Sequence, residues 1–280
     1  MNIGELLELT EDGPDTFFGG GPKYPWGGLY GGQIVAQALR AAAATVEPHF
    51  EVHSLRAYFI RRGDHEERVR YDVDRIRDGR SFCTRRVVAV QEVGAILNLE
   101  ASFHVPESGF ELQPIASPMR DADPSVTDPG ALPDTSWSPS FQRSFVPNEA
   151  LAASPRAGRG RVVAWLRTAD ALADDQLLQR CAMAFLSDDL PTDAVVRAHP
   201  LGREDPEVLY QSMFSASLDH TIWFHRPMRA DEWHLHDFVC QSFTSGRGLS
   251  AGQIFDLEGN HVASVAQEVL LRDVRSRERA

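Results

Sequence analysis

The chain carries one structural plan twice, and that duplication limits the folds open to it more than any other feature. Residues 33–46 place Ile34, Val35, Ala38, Leu39, Ala42 and Val46 at helical spacing, with alanines favouring the helix and Pro48 stopping it. Period-two segments follow at 51–62, 68–77, 81–93 and 95–105, divided by turn signals at Arg62-Gly63-Asp64, Arg77-Asp78-Gly79 and Gly94. The second pass predicts a helix over 173–188, with Asp174 and Asp175 in its first turn and an apolar stripe of Leu177, Leu178, Cys181, Ala182, Phe185 and Leu186. Strands are expected after it at 214–227, 234–243, 249–256 and 261–272, the last two joined by a turn at Glu258-Gly259-Asn260. The halves also echo each other in detail. Arg80 stands 20 residues before Glu100, as Arg247 stands 20 before Gln267, and Tyr58-Phe59-Ile60-Arg61-Arg62 resembles Trp223-Phe224-His225-Arg226. Two helix-on-sheet units of this size pack best with their sheets joined edge to edge, an α+β arrangement. Residues 107–140 are rich in Pro, Ser and Asp, a linker composition, so the expected division is 1–106, a linker at 107–140, and 141–280.

Bulk properties narrow the function classes. With 280 residues, 42% hydrophobic and 24% charged, the chain is long enough for one large core or two small ones. A net charge of −12 argues against a nucleic-acid partner. Cys83, Cys181 and Cys240 are far apart and form no C-x-x-C pair, so neither a disulfide framework nor a zinc knuckle is suggested. The acidic opening is unlike a secretory signal, and no apolar run approaches membrane-spanning length. The expected location is the cytoplasm, without membrane insertion.

Two stretches mix apolar periodicity with residues that a plain core would not carry. In Phe214-Ser215-Ala216-Ser217-Leu218-Asp219-His220-Thr221-Ile222-Trp223-Phe224, a regular strand would point Ser217 and Asp219 to one face, and Pro227 ends the run. The glycines of Gly19-Gly20-Gly21 and Trp26-Gly27-Gly28-Leu29-Tyr30-Gly31-Gly32 lead directly into the first helix. They serve either a tight turn feeding a core helix or the close approach of an anion to a helix N-terminus.

Several patterns suggest other chemistry and fit poorly. Gly248-Leu249-Ser250-Ala251-Gly252 matches the G-x-S-x-G elbow of serine esterases, but that motif needs a strand, a sharp turn and a helix, whereas residues from 253 read as strand, turn, strand. His220, His225, His234 and His236 lack a carboxylate or cysteine at matching helical spacing for a metal site. Arg61, Arg62, Arg80 and Arg247 are either phosphate ligands or solvated turn residues.

Taken together, Gly31-Gly32-Gln33-Ile34-Val35-Ala36-Gln37-Ala38-Leu39, His53-Ser54, Tyr58-Phe59, Arg62-Gly63-Asp64, Asp78-Gly79-Arg80-Ser81-Phe82 and Leu218-Asp219-His220 with Trp223-Phe224-His225-Arg226-Pro227 resemble the acyl-CoA thioesterase II family over about residues 17–273. The resemblance implies a double hotdog, two helices each wrapped by an antiparallel sheet in one chain. It also implies hydrolysis of acyl-CoA to a free fatty acid and CoA, with room for a homo-oligomer of such chains and no call for a cofactor or metal. Its Asp, Ser or Thr, and Gln map onto Asp188, Ser217 and Gln267, which would hold and activate a water. Asp189, beside the proposed base, is a second carboxylate that could point inward. The residue types suit the reaction: a carboxylate takes the proton, and a neutral hydroxyl and amide orient the water. At the end of a helix, Asp188 is expected to feel the negative end of the dipole, which raises its pKa. The alternatives are a non-catalytic acyl-CoA-binding hotdog and a hotdog hydratase, which would want an Asp and a His paired on a helix-capping loop.

Overall fold

The computed structural model describes residues 1–122, 124–150, 160–203, 208–209 and 212–277. The α-helices described over their whole length are α1 (Ile3–Leu6), α2 (Gly31–Ala44), α3 (Gln176–Ser187) and α4 (Pro191–Ala198). The strands are β1 (Thr10–Glu11), β2 (Thr16–Gly19), β3 (Glu51–Phe59), β4 (Val69–Asp78), β5 (Phe82–Gln91), β6 (Gly94–His104), β7 (Phe141–Phe145), β8 (Arg161–Thr168), β9 (Met213–Ser217), β10 (Asp219–Phe224), β11 (His234–Thr244), β12 (Arg247–Phe255) and β13 (His261–Asp273). They form one sheet in which each half follows the same path, β2-β4-β5-β6-β3 and β8-β11-β12-β13-β10. The halves join where β3 and β10 run antiparallel, with Leu55 opposite Ile222. The edge-to-edge union expected from the duplication is this seam.

Inside the curved sheet α2 packs against α3, and α2 also rests on β5 and β6. Ala36, Ala38, Ala41 and Ala42 of α2 and Ala182 and Ala184 of α3 are fully buried, and such small side chains let two helices approach closely. The buried polar residues of α2, Gln33 and Gln37, are paired, as burial demands. Gln37 donates to the carbonyls of Leu6 and Gly20 at 2.7 and 2.9 Å and accepts from the Tyr71 hydroxyl at 2.7 Å. Among the described residues no helix is long and apolar enough to cross a membrane.

The segment between the halves is built onto the second one. Val126 joins Val163, Trp165, Leu235 and Phe255 in a separate apolar cluster, with Ile115, Met119 and Leu132 packed against it.

The central stretch departs from the single strand expected over 214–227. β9 pairs with β13 at Ser217↔Val269, whereas β10 pairs with it at Thr221↔Ala266, so one extra residue is taken up between them. Simple alternation therefore fails, and Ser217 and Asp219 do not share a partner. Ser217 and His220, three apart, both meet the Gln267 side chain, while Asp219 accepts from the backbone N–H of Glu268 at 2.6 Å.

Candidate active site

The end of α3 is driven against the start of α2. Asp188 is the C-cap of α3, and a Cβ added to Gly31 would lie 2.7 Å from its Oδ2. A Cβ on Gly32 would come within 2.4 Å of the Phe185 carbonyl, which also accepts a 3.0 Å hydrogen bond from the Tyr30 hydroxyl. Glycine at both positions thus admits a protein carboxylate to the positive end of α2.

Burial raises the Asp188 pKa to about 7, Asp189 adds to the rise, and hydrogen bonds from the Gln267 side chain and the Gly32 N–H oppose it. The direction of the shift is the one expected from the sequence, and burial is its largest cause. Removal from water dominates, and the neighbouring helix start pulls the other way.

Asp189 is buried too, but its oxygens are spoken for. Arg143 Nη1 binds Oδ2 at 2.9 Å and Oδ1 at 3.1 Å, and Trp137 Nε1 donates to Oδ1 at 2.5 Å. Asp188 Oδ1, by contrast, has no hydrogen-bond partner among the described residues. Of the two carboxylates, Asp188 is the one with an acceptor to spare.

Gln267 and Ser217 complete the constellation. Gln267 Nε2 donates to Ser217 Oγ at 2.7 Å, across the turn of register between β9 and β13. The three residues named from sequence are therefore neighbours, drawn from α3, β9 and β13. The sequence reading missed a fourth. His220 is fully buried, with Nδ1 2.5 Å from Gln267 Oε1 and 4.0 Å from Asp188 Oδ1, and Nε2 2.9 Å from Ser187 Oγ. A polar ring in an apolar strand was its one signal. Its closeness to Asp188 is not the Asp–His pair of a hydratase, because Gln267 and Ser187 occupy both ring nitrogens.

The other patterns dissolve on inspection. Ser250 lies within strand β12, opposite Gln267, and the strand runs on to Phe255 instead of turning sharply into a helix. The glycines flanking it answer to packing: a Cβ on Gly248 would meet Val195 of α4 at 2.4 Å, and one on Gly252 would meet Phe238 at 2.4 Å. His225 reaches Ser264 and His234 reaches the Glu232 carbonyl, so the four histidines are dispersed. Arg61 and Arg62 hold the carbonyls of Ala95 and Trp26, Arg247 pairs with Glu268, and Arg80 is exposed.

Comparison with known proteins gives concordant matches. Residues 22–104 match the family profile for the acyl-CoA thioesterase N-terminal domain, and residues 119–271 that for the acyl-CoA thioesterase C-terminal domain. Acyl-CoA thioesterase 2 of Haemophilus influenzae is 33% identical over 283 residues, covering 97% of each chain. The crystal structure of an acyl-CoA thioesterase II, TesB2, from Mycobacterium marinum is 36% identical and superposes with a TM-score of 0.81 over 98% of both chains. A hot dog fold protein of unknown function from Alicyclobacillus acidocaldarius, 17% identical, superposes with a TM-score of 0.74 over 96% of this chain and 97% of its own. The two helices wrapped by joined antiparallel sheets are a double hotdog.

Proposed function

The chain belongs to the acyl-CoA thioesterase family, and we propose that it hydrolyses its thioester with a water held among Asp188, Ser217 and Gln267. The observation that carries this reading is Asp188 Oδ1: a buried carboxylate oxygen without a partner, on a group with a pKa of about 7, beside the Gln267–Ser217 hydrogen bond. A carboxylate in this state is strong enough to take a proton from water near neutrality and weak enough to return it.

In the reaction the water donates one hydrogen bond to Asp188 and is oriented by the Gln267 amide and the Ser217 hydroxyl. Asp188 removes its proton as the oxygen attacks the thioester carbon. The carbonyl oxygen gains charge, and N–H groups of the first turn of α2, which have no acceptor within the helix, serve as donors for it. Collapse breaks the C–S bond, and the proton on Asp188 goes to the departing CoA sulfur. No acyl-enzyme forms.

Rapid mixing with acyl-CoA tests this directly. The expected result is release of free thiol without a stoichiometric burst, and intact-protein mass spectra that show no acyl adduct. A burst accompanied by an acylated serine would replace the water with a covalent nucleophile.

A further inference from the structure

We propose that His220 is a positioning residue of this reaction, holding the Gln267 amide in the one orientation that turns its NH2 group towards Ser217 and Asp188. The inference rests on the water mechanism above and adds a residue to it. An amide side chain has nearly the same shape with its oxygen and nitrogen exchanged, so something other than packing must choose between the two orientations.

The bonding partners make that choice together. The Gln267 side chain favours the ionised form of Asp188, which can only accept, so the NH2 group, which donates to Ser217 Oγ at 2.7 Å, is the end turned to that side. Its Oε1 then faces His220 Nδ1 at 2.5 Å, which requires the proton on Nδ1. Nε2 is left as an acceptor for the Ser187 hydroxyl at 2.9 Å. The direction is consistent from end to end: Ser187 to His220, His220 to Gln267, Gln267 to Ser217 and Asp188. The Ser217 proton stays free to meet the water. With the amide reversed, its oxygen would face the carboxylate and the Ser217 hydroxyl would be consumed.

Two further facts fit a built arrangement. The extra residue between β9 and β10 is what lets Ser217 and His220 converge on one amide from positions three apart. His220 and Gln267 are both fully buried, so water does not compete for these bonds. Burial also lowers the His220 pKa to about 4, so the ring stays neutral across the range in which Asp188 titrates and takes no part in proton transfer.

The experiment compares His220→Leu, which removes the donor, with His220→Asn, whose side-chain NH2 falls close to the position of Nδ1. Gln267→Ala, the double variant His220→Leu with Gln267→Ala, and Asp188→Asn complete the set, each assayed for kcat, KM and thermal unfolding. An orienting partner of this kind is typically worth ~10–100-fold, so kcat should fall by that factor in His220→Leu with KM little changed. His220→Asn should recover most of the loss. The double variant should be no slower than Gln267→Ala alone, because His220 acts only through that amide. A His220→Leu enzyme as fast as the parent, or a double variant whose loss is the product of the single losses, would overturn the inference. Should His220→Leu fail to fold, a folded His220→Asn as slow as Gln267→Ala overturns it equally, and one near the parental rate supports it. Asp188→Asn separates the two levels. If it is active, the water mechanism falls and the positioning role with it; if it is inactive beside a fully active His220→Leu, only the positioning role falls.

Discussion

Gly31 and Asp188 meet where the helix of one half begins and the helix of the other ends, so closely that a Cβ on the glycine would lie 2.7 Å from the carboxylate Oδ2. The glycine is not in the left-handed region, so alanine would be tolerated by the backbone and would act through its methyl group alone. Gly31→Ala should therefore push Asp188 aside and cost ~10²-fold in kcat, the usual penalty for misplacing a reacting group by about 1 Å. Turnover measured beside circular dichroism checks this, and an active Gly31→Ala would show the contact to be slack.

The titration of Asp188 should appear twice. As a base it works ionised, so kcat/KM should rise with pH through about 7, well above the ordinary carboxylate range. For stability the sign is opposite. The unfolded chain releases this proton near the ordinary value of 3.8, whereas the folded chain keeps it to about 7. The folded state thus binds more protons in that window, and stability falls as pH rises through it. Asp193, raised to about 6 by burial, contributes in the same direction. Thermal unfolding between pH 4 and 8 should show a shallower decline in Asp188→Asn than in the parent, and identical slopes would contradict the assignment.

Asp189→Asn should separate stability from chemistry. Its carboxylate is the counter-charge of Arg143, whose side chain is only 12% exposed. Breaking a buried pair by removing one partner costs about 3 kcal/mol or more. Urea unfolding should register that loss, while the folded variant keeps most of its kcat. A variant of unchanged stability and no turnover would exchange the roles of the two carboxylates.

Ser250→Ala should be nearly silent. The side chain is buried in β12 and its Oγ has no hydrogen-bond partner among the described residues, although it stands opposite Gln267. A serine-directed phosphonate should leave the enzyme active and Ser250 unlabelled. Labelling with loss of turnover would restore the elbow reading.

The architecture was legible where periodicity was strong. The alanine-rich stripe of α2, the stripe of α3 and the alternating segments of β3–β6 and β11–β13 were each placed to within a few residues. Strand β8 escaped because Val162, Val163, Ala164, Trp165 and Leu166 form an unbroken apolar run buried on both faces, which does not alternate. The extra residue before His220 was equally hidden, because nothing local marks where a strand gains one. Asp188, Ser217 and Gln267 could be named from the family resemblance. That Asp189 is bound by Trp137 and Arg143 could not, since those two residues lie 52 and 46 positions away and reach it only through the fold. Nor was His220 legible as a partner of Gln267, because its role depends on the shifted register.

The most direct test of the account is the turnover of Asp188→Asn measured against binding of a non-hydrolysable acyl-CoA thioether. Asparagine keeps the size of the side chain and its place at the end of α3 but cannot accept the proton. The account predicts thioether binding close to that of the parent and hydrolysis slowed by ~10²–10⁴-fold, the worth of a general base. Hydrolysis at the parental rate would contradict it, and would move the base away from Asp188 altogether.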